Sequence, residues 1–432
     1  MDSPTLDKVN SSGTEPIVLE SHPAFDPDSE LTERAIPIRP SDLVRNLAAD
    51  PGLSPGERTR FLQFARILGA VFHYEYYDWL VELKDLYSPL DPDSDCVNLG
   101  SASTAFSEEA DEAFLQPFEA ALIRANYRPL KLEIIEKAVS EPNEMGLTYQ
   151  PDFAIFEHLK VFVRGRSKVS RIVRNFTTKF RKREYIFPGY SRLVVILKFR
   201  AGGKKLDRYA RSDVIYLRLF KDVPHVDMEM HLPEQGTKVK MRLIDKAQIA
   251  SPMFTALPLL AAKIFLGWVS PLAFGVLIAP FTAGANSFFG FQRAKQKHLA
   301  NMIRHLYYLT LANNGSVINR LVDSAEEEDF KEALLAYFFL WRGQDDPSPW
   351  DQLRLDRAVE VYLKDRTGQD VDFEVADAAQ KLVRLGLVHS DSQARLTVTP
   401  IESALERLDQ QWDDAFRYHE SGKVSGDCST KI

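Results

Sequence analysis

Residues 252–291 read PMFTALPLLAAKIFLGWVSPLAFGVLIAPFTAGANSFFGF and contain a single charged side chain, that of Lys263. A helix that crosses the ~30 Å hydrocarbon core of a bilayer needs about 20 apolar residues, and this stretch is about twice as long. Pro271 near its middle suits the first turn of a second helix. The stretch therefore predicts a transmembrane helical hairpin over 252–291, with one helix over roughly 252–269 and another over roughly 271–291.

The flanks of this stretch indicate its orientation. Basic residues lie on both sides of it, among them Arg242, Lys246, Arg293 and Lys295, and basic flanks favour the cytoplasmic side of a membrane. We therefore expect an integral membrane protein with two spans and both termini cytoplasmic, in which Lys263 is an intramembrane charge. A single kinked or re-entrant segment and a buried helix pair of an ordinary globular core are the alternatives.

Length and composition describe a largely polar chain of several domains. The 432 residues carry a formal net charge of −7 and have a mean hydropathy of −0.24. The two cysteines, Cys96 and Cys428, lack metal-binding or disulfide spacing, which fits a reducing compartment, and no signal peptide is visible. We predict an α+β, membrane-anchored fold. Its divisions are a disordered tail (1–35), a helical domain (36–146), a basic β-rich domain (147–249), the hairpin (252–291), juxtamembrane helices (292–345), a winged-helix-like module (346–412) and a polar tail (413–432).

The helical domain is predicted from a start signal and an apolar stripe. Ser54-Pro55-Gly56-Glu57 is a capping box with proline at the first helical position. Apolar and aromatic residues then recur at helical spacing up to about Tyr87. Such a stripe is typical of a face that packs into a core rather than of a ligand site.

A second capping box, Ser324-Ala325-Glu326-Glu327, predicts a helix that begins there and runs to about Trp341. Acidic residues in the first turns of a helix complement the positive end of its dipole. We prefer this interpretation to a carboxylate site for the acids of this segment. They are Glu326, Glu327, Glu328, Asp329 and Glu332.

Residues 147–249 are predicted to form a basic antiparallel β domain, because β-branched and aromatic runs are separated there by glycine, proline and aspartate. Seventeen lysines and arginines lie between Lys160 and Arg211, together with two acids. This charge favours attraction to anionic lipid headgroups beside the hairpin. A solvated or internally paired face and a nucleic-acid surface are the alternatives. The predicted lipid-surface patch comprises Arg164, Arg166, Lys168, Arg171, Arg174, Lys179, Arg181, Lys182 and Arg183.

The sharpest candidate chemistry lies in the segment that follows Phe220. If this segment is a strand, alternate side chains share one face, and those side chains belong to His225, Asp227, Glu229 and His231. Imidazole and carboxylate groups bind divalent metals. However, successive residues on one strand face lie about 7 Å apart, so at most two of the four can reach one ion. A polar strand face over an apolar one is the simpler interpretation.

The pattern of residues 346–412 resembles a winged helix, with two helices, two short strands around Ser390-Asp391-Ser392 and a last helix. Twelve acids and eight lysines or arginines lie between Asp351 and Asp409. A surface that neutralises phosphates needs the opposite sign of charge. We therefore expect this module to bind unknown protein partners or to be structural, and we expect no DNA.

Four segments, taken in order along the chain, resemble a known family. They are Tyr76–Pro92, Lys160–Gly165, Leu219–Pro224 and Asp323–Leu340. They resemble an uncharacterised two-span membrane protein family, a domain of unknown function, that includes transmembrane protein 143. The resemblance covers roughly residues 40–345. It implies two membrane spans and an open biochemical role, and it provides no catalytic residues to transfer.

These features predict a membrane-anchored interaction or scaffold protein on the cytoplasmic side, with the lipid bilayer and unknown proteins as partners. The sequence contains no phosphate-binding loop, no catalytic serine motif and no zinc-protease motif, so we expect neither a cofactor nor enzymatic activity. Two other hypotheses stay open. One is a metal-dependent enzyme that uses the 225–231 strand, and the other is a homo-oligomeric conduit with Lys263 facing inward.

Overall fold

A computed structural model describes the chain over residues 17–18, 33–95, 108–140, 148–173, 183–202, 210–225, 228, 231–232, 237–240, 296, 300 and 306–415. Eight α-helices have described bounds. They are α1 (Pro40–Ala48), α2 (Pro55–Tyr87), α3 (Glu108–Arg124), α4 (Leu132–Ser140), α5 (Gly315–Arg342), α6 (Gln352–Thr367), α7 (Val375–Arg384) and α8 (Ile401–Ala415).

The strands form one large sheet and two small ones. In order, they are β1 (Ile17–Val18), β2 (Arg128–Leu130), β3 (Thr148–Pro151), β4 (Phe156–Val173), β5 (Arg183–Phe199), β6 (Tyr216–Pro224), β7 (Thr237–Lys240), β8 (Thr310–Asn313), β9 (Trp350–Asp351), β10 (Val388–Ser390) and β11 (Arg395–Val398). The large sheet has the order β2-β4-β5-β6-β8, and β1 pairs with β5. All its neighbouring strands are antiparallel except β1 and β5. The predicted antiparallel sheet is therefore confirmed.

Helix α2 begins where its sequence predicts. The Ser54 side chain accepts a hydrogen bond from the Glu57 backbone amide, while the Glu57 side chain accepts one from the Ser54 amide. This reciprocal pair satisfies two amides that the first turn leaves without helical partners. The helix runs to Tyr87, and its aromatic stripe is buried as predicted. On that stripe, the Phe64 ring stacks on Tyr337 of α5 at 4.0 Å between centroids.

Helix α5 begins nine residues before the predicted start, because Ser324 lies inside a helix that starts at Gly315 and spans 28 residues. The residue before it, Asn314, has a positive φ of 48° and makes the turn out of β8. The hydroxyl of Ser324 instead accepts a hydrogen bond from Arg164 of β4 at 2.9 Å. A capping box is a local signal, and here the preceding residues also favour a helix.

Both faces of the large sheet are buried. One face, which includes Phe162, Val194 and Leu217, joins a continuous core that extends from Ile36 to Leu408 through all the helices except α4. The opposite face, with Leu193 and other side chains of β4, β5 and β6, forms a second cluster with the Ile135 side chain of α4. Strands buried on both faces show continuous apolar runs rather than alternation, which explains the run from residue 193 to 197.

The C-terminal elements follow the predicted order. Strands β10 and β11 flank a turn, and β9 pairs with β11 to complete a three-stranded sheet. Helices α6 and α7 lie between β9 and β10 in the chain, and α8 follows β11. Side chains from this winged-helix-like module, from α2 and from α5 all contribute to the one core. The predicted domain boundaries remain predictions, since no gap in the core marks them.

The predicted membrane anchor requires a correction. Across the ranges that the structure describes, every helix is too short or too polar to cross a bilayer. The longest, α2 and α5, have 33 and 28 residues, but charged residues occur along both. The stretch 252–291, with Lys263, lies outside the described residues. The two-span hairpin, the membrane-anchored fold class and the localisation with cytoplasmic termini are therefore not supported, and the conduit hypothesis depended on them. The fold is α+β, with helices and an antiparallel sheet.

Candidate functional site

Four charged residues of α5 are buried in the middle of the protein. Glu328, Asp329, Lys331 and Glu332 are each less than one-tenth exposed. They lie more than three turns inside the helix, so they are not the N-terminal acids that the sequence predicted. Buried charges are costly unless they are paired and hydrogen-bonded, and these four are paired in two groups.

The first group surrounds Lys381 of α7. Its ammonium lies 2.6 Å from an oxygen of Asp329, 2.8 Å from one of Glu332 and 2.6 Å from one of Asp377. The phenol of Tyr76, on α2, donates a hydrogen bond of 2.5 Å to the other oxygen of Asp329. Three helices that are distant in sequence are therefore joined at one cation.

Burial and charge shift the pKa values of this group. Burial raises the pKa of Glu332 to about 7, although the Lys381 ammonium opposes that rise. Burial alone would lower the pKa of Lys381, but the carboxylates of Glu332, Asp329 and Asp377 hold it above its usual range. Burial, followed by the Asp329 charge, raises the pKa of Tyr76 well above its ordinary value. At neutral pH, Lys381 is therefore charged and Tyr76 is a hydrogen-bond donor.

The second group fastens the N-terminal segment to α5. Lys331 donates hydrogen bonds to Glu328 at 2.6 Å and to the backbone oxygen of Ile36 at 2.7 Å. Glu328 in turn accepts one from the Ile36 amide at 2.9 Å. Nearby, Arg34 forms ion pairs with Asp372, at 3.0 Å, and with Glu374. The N-terminal segment is thus held by both α5 and the C-terminal module.

A cavity of about 330 Å³ opens beside the Lys381 group, between α2, α3, α5 and α7. Its size falls within the range of small-molecule sites, but its lining is far more polar than is usual for them. On its wall the guanidinium of Arg124 lies 4.9 Å from the centre of the Trp79 ring. Arg384 forms a bidentate ion pair with the carboxylate of Glu75, with N–O distances of 2.7 and 2.8 Å. The lining residues are Glu75, Tyr76, Trp79, Arg124, Asp329, Asp377, Gln380, Lys381 and Arg384.

Part of the predicted lipid-surface patch is engaged inside the protein. Arg164 donates hydrogen bonds to the Ala125 backbone oxygen, at 3.1 Å, and to Ser324, and its guanidinium lies 5.1 Å from the centre of the Tyr127 ring. This placement agrees with the alternative of an internally paired face. Arg166 and Lys168 are exposed on β4.

The structure describes the other members of that patch only in part. Arg171 and Arg183 lie in the paired ends of β4 and β5. Four more, Arg174, Lys179, Arg181 and Lys182, lie outside the described residues. Lipid attraction by this patch stays a prediction.

Strand β6 ends at Pro224, so two of the four candidate metal ligands after Phe220, His225 and His231, lie beyond that strand. The His225 ring lies 4.5 Å from that of Tyr190, and burial, with the charge of Arg166, lowers its pKa to about 4. The ring of His231 lies 4.6 Å from that of Phe220, edge to face. Asp227 and Glu229 lie outside the described residues, so metal binding by this set stays a prediction.

A protein-family model described as "Protein of unknown function (DUF3754)" matches residues 190–316. The chain contains a DUF3754 domain. The DUF3754 match covers less than half of the chain, from Tyr190 in β5 to Ser316 at the start of α5. No solved structure matches the chain.

The Lys381 group and its cavity lie outside the DUF3754 segment, and the sequence analysis missed them. Lys381 resembles any solvated lysine of an amphipathic helix. A usable signal existed on α5, where Asp329 and Glu332 stand three residues apart among apolar residues that are buried all round the helix. A helix that is apolar on every side is buried, and so its charges must have partners.

Proposed function

We propose that this protein is an interaction protein that binds a small, doubly charged polar molecule in the cavity between α2, α3, α5 and α7. The observation that carries the proposal is the position of Lys381. It joins the C-terminal module to α2 and α5, and it also forms part of the cavity wall. A ligand in this cavity contacts the same helices that hold the module in place.

The charge of α7 supports a protein partner rather than DNA. In a winged helix, the helix before the two strands reads the major groove, and that helix here is α7. Its two cations near the cavity are already used, since Lys381 faces three carboxylates and Arg384 pairs with Glu75. Phosphate binding requires unpaired positive charge, so α7 is poorly suited to it.

The cavity lining suggests the ligand's chemistry. Among the residues that the structure describes, Arg124 pairs with no carboxylate and lies on the wall above Trp79. Asp377 of α7 also lines the cavity, and it is about half exposed, so it can accept a further cation beside Lys381. A guanidinium binds carboxylate or phosphate groups, and an aspartate binds ammonium groups. A zwitterionic ligand with its acidic group at Arg124 and its amino group at Asp377 satisfies both.

Calorimetry with a panel of amino acids, and with the matching amines and carboxylic acids, tests this proposal. We expect a zwitterion to bind the wild-type protein and to bind Arg124→Gln at least tenfold more weakly, because its acidic group loses a charged partner. Arg66→Gln is the matched control, since Arg66 is an exposed arginine of α2 that does not line the cavity. Equal affinity for both variants, or no binding by any member of the panel, contradicts the proposal.

We also propose a wider kinship, with the family that includes transmembrane protein 143. The DUF3754 match supports it because the segment Leu219–Pro224, which carries part of that resemblance, lies inside the matched range. The kinship is proposed without the two membrane spans.

A further inference from the structure

A second polar cluster lies at the junction of α3 with the β4–β5 hairpin. Asp111 comes from the first turns of α3, while Glu157 and His158 are consecutive residues of β4. One oxygen of each carboxylate and one ring nitrogen of the histidine lie within 4.8 Å of one another. An imidazole and two carboxylates at such distances are a ligand set that zinc and related cations use.

A strand irregularity makes this cluster possible. Consecutive residues of a strand normally point to opposite faces, so Glu157 and His158 would diverge. The pairing of β4 with β5 shifts register here, because Phe156 faces Phe199 while His158 already faces Lys198. Glu157 is therefore the extra residue of a bulge, a device that redirects a side chain and recurs next to functional sites.

Asp111 is buried, and one of its two carboxylate oxygens has no hydrogen-bond donor among the described residues. Its residue is 1 % exposed, and its Oδ1 atom makes no hydrogen bond to any part of the chain that the structure describes. Its Oδ2 atom accepts a hydrogen bond from the Lys198 ammonium and lies 3.5 Å from Nε2 of His158. Lys198 also lies 3.9 Å from a Glu157 oxygen. One ammonium therefore faces two carboxylates, and a buried carboxylate oxygen is left without a donor.

We propose that Asp111, Glu157 and His158 bind a divalent transition cation of the zinc type, and that Lys198 is the cation that competes with it for the carboxylates. The three ligands come from a helix and a bulged strand, so the ion fastens α3 to the sheet. Three protein ligands also leave a coordination position for water or for another group.

The competition follows from charge. With Lys198 in place, the cluster has two negative charges and one positive charge when His158 is neutral. A divalent ion beside the retained ammonium would experience its repulsion at close range. The ammonium must therefore move away from Asp111 when the ion binds, which weakens binding by the wild-type protein. Removing that ammonium strengthens binding.

The test uses the full-length chain after its metal has been removed by chelation. The metal-free protein is titrated with Zn²⁺, and in a parallel titration it is loaded with Co²⁺, whose binding is followed by visible absorption. We expect one Zn²⁺ per chain at this site and a loss of that ion in His158→Ala, whose side chain is partly exposed and therefore replaceable. In Lys198→Met we expect binding at least about tenfold tighter than in the wild-type protein. Lys198→Gln serves the same purpose if the methionine variant does not fold.

The control is the double variant His225→Ala, His231→Ala, which removes both histidines of the other candidate set. We expect it to keep the Zn²⁺ stoichiometry of the wild-type protein. The proposal is overturned if Zn²⁺ binding is absent from both the wild-type protein and Lys198→Met, or if it survives in His158→Ala. It is equally overturned if the ion is lost in the double variant His225→Ala, His231→Ala, because the metal is then bound by the histidines that follow β6.

Discussion

Lys381 is itself buried and is the shared ion-pair partner of three carboxylates, two of which, Asp329 and Glu332, are also buried. Removing one partner of a buried ion group leaves the others charged and unpaired, which costs about 3–5 kcal/mol. We therefore expect Lys381→Met to lower the free energy of unfolding by about that amount, measured by urea denaturation at pH 7.

Lys364→Met is the matched control for this variant. Lys364 forms an ion pair with Asp370 in which both side chains are mostly exposed. Exposed pairs contribute little, so its loss should leave the urea midpoint nearly unchanged. A Lys381→Met protein as stable as the Lys364→Met control would show that the buried group is not held together by this cation.

Glu332 predicts a pH dependence of stability. Its pKa is about 7 in the folded protein, above the ordinary value of 4.5, so between these two values the folded state holds a proton that the unfolded chain has released. Stability falls with rising pH wherever the folded state binds more protons. The contribution of Glu332 is therefore present below about pH 4.5 and is lost by about pH 7.

In Glu332→Gln this contribution disappears, because the amide does not titrate. We expect the free energy of unfolding of the variant, relative to the wild-type protein, to rise between pH 5 and pH 8 by an amount on the order of 1–3 kcal/mol. Urea denaturation at several pH values measures this difference, and the comparison cancels the other titrating groups. A relative stability that is constant or falls with pH would contradict the assignment.

The charges of these residues are plain in the sequence, but their partners are not. Lys381 meets Asp329 across 52 residues and Tyr76 meets Asp329 across 253. Local pattern rules evaluate neighbours within a few turns, so they interpret each of these side chains as solvated. The same limit applies to Asp111 and His158, which meet only because α3 lies against the sheet.

Gly189 allows β5 and β6 to approach closely, because it has no side chain. A Cβ atom at this position would lie 2.4 Å from the backbone oxygen of Val223, which is too close for any side chain. We therefore expect Gly189→Ala to force the two strands apart and to lower the free energy of unfolding by about 1–3 kcal/mol, as overpacking typically does. Thermal or urea denaturation measures the loss.

Gly56→Ala provides the comparison, because a Cβ atom at Gly56 meets nothing within 4 Å in the first turn of α2. Alanine also favours a helix more than glycine does. Its stability should equal or slightly exceed that of the wild-type protein. If Gly189→Ala and Gly56→Ala have the same free energy of unfolding, the close approach of β5 and β6 does not exclude a side chain at position 189.

Elements differ in how well the sequence predicts them. Helix α2 is predicted at both ends because its capping box and its apolar stripe are local signals. The start of α5 is missed because a second capping box, at Ser324, lies within a helix whose true start depends on the turn after β8. The strand predicted to reach His231 ends at Pro224, where pairing with β5 also ends at Gly189.

One continuous core joins α2, α5 and the C-terminal module. Leu408 of α8 is fully buried in it, and α8 packs against α2 with an ion pair of 2.8 Å between Arg60 and Glu402. We expect Leu408→Ala to cost about 2–5 kcal/mol and to destabilise α2 together with α8, since both belong to one packed unit. Hydrogen exchange of peptides from both helices, measured at increasing urea, detects this.

Leu353→Ala is the control for that experiment, because Leu353 is a leucine of the same module that is mostly exposed. It should leave the exchange of both helices unchanged. If Leu408→Ala increases exchange only between residues 352 and 415, the module unfolds by itself. The predicted boundary near residue 346 would then separate two parts of the chain that unfold independently.

The contact between Arg34 and Asp372 joins residues that are 338 positions apart. Ribosomes add roughly 5–20 residues per second, so the segment around Arg34 waits on the order of 20–70 s before its partner exists. During that time the backbone amide and carbonyl of Ile36 lack their hydrogen-bond partners Glu328 and Lys331, because both are made almost as late. Synthesis speed therefore sets how long this end of the nascent chain stays accessible to chaperones and proteases, and a slower ribosome lengthens that exposure.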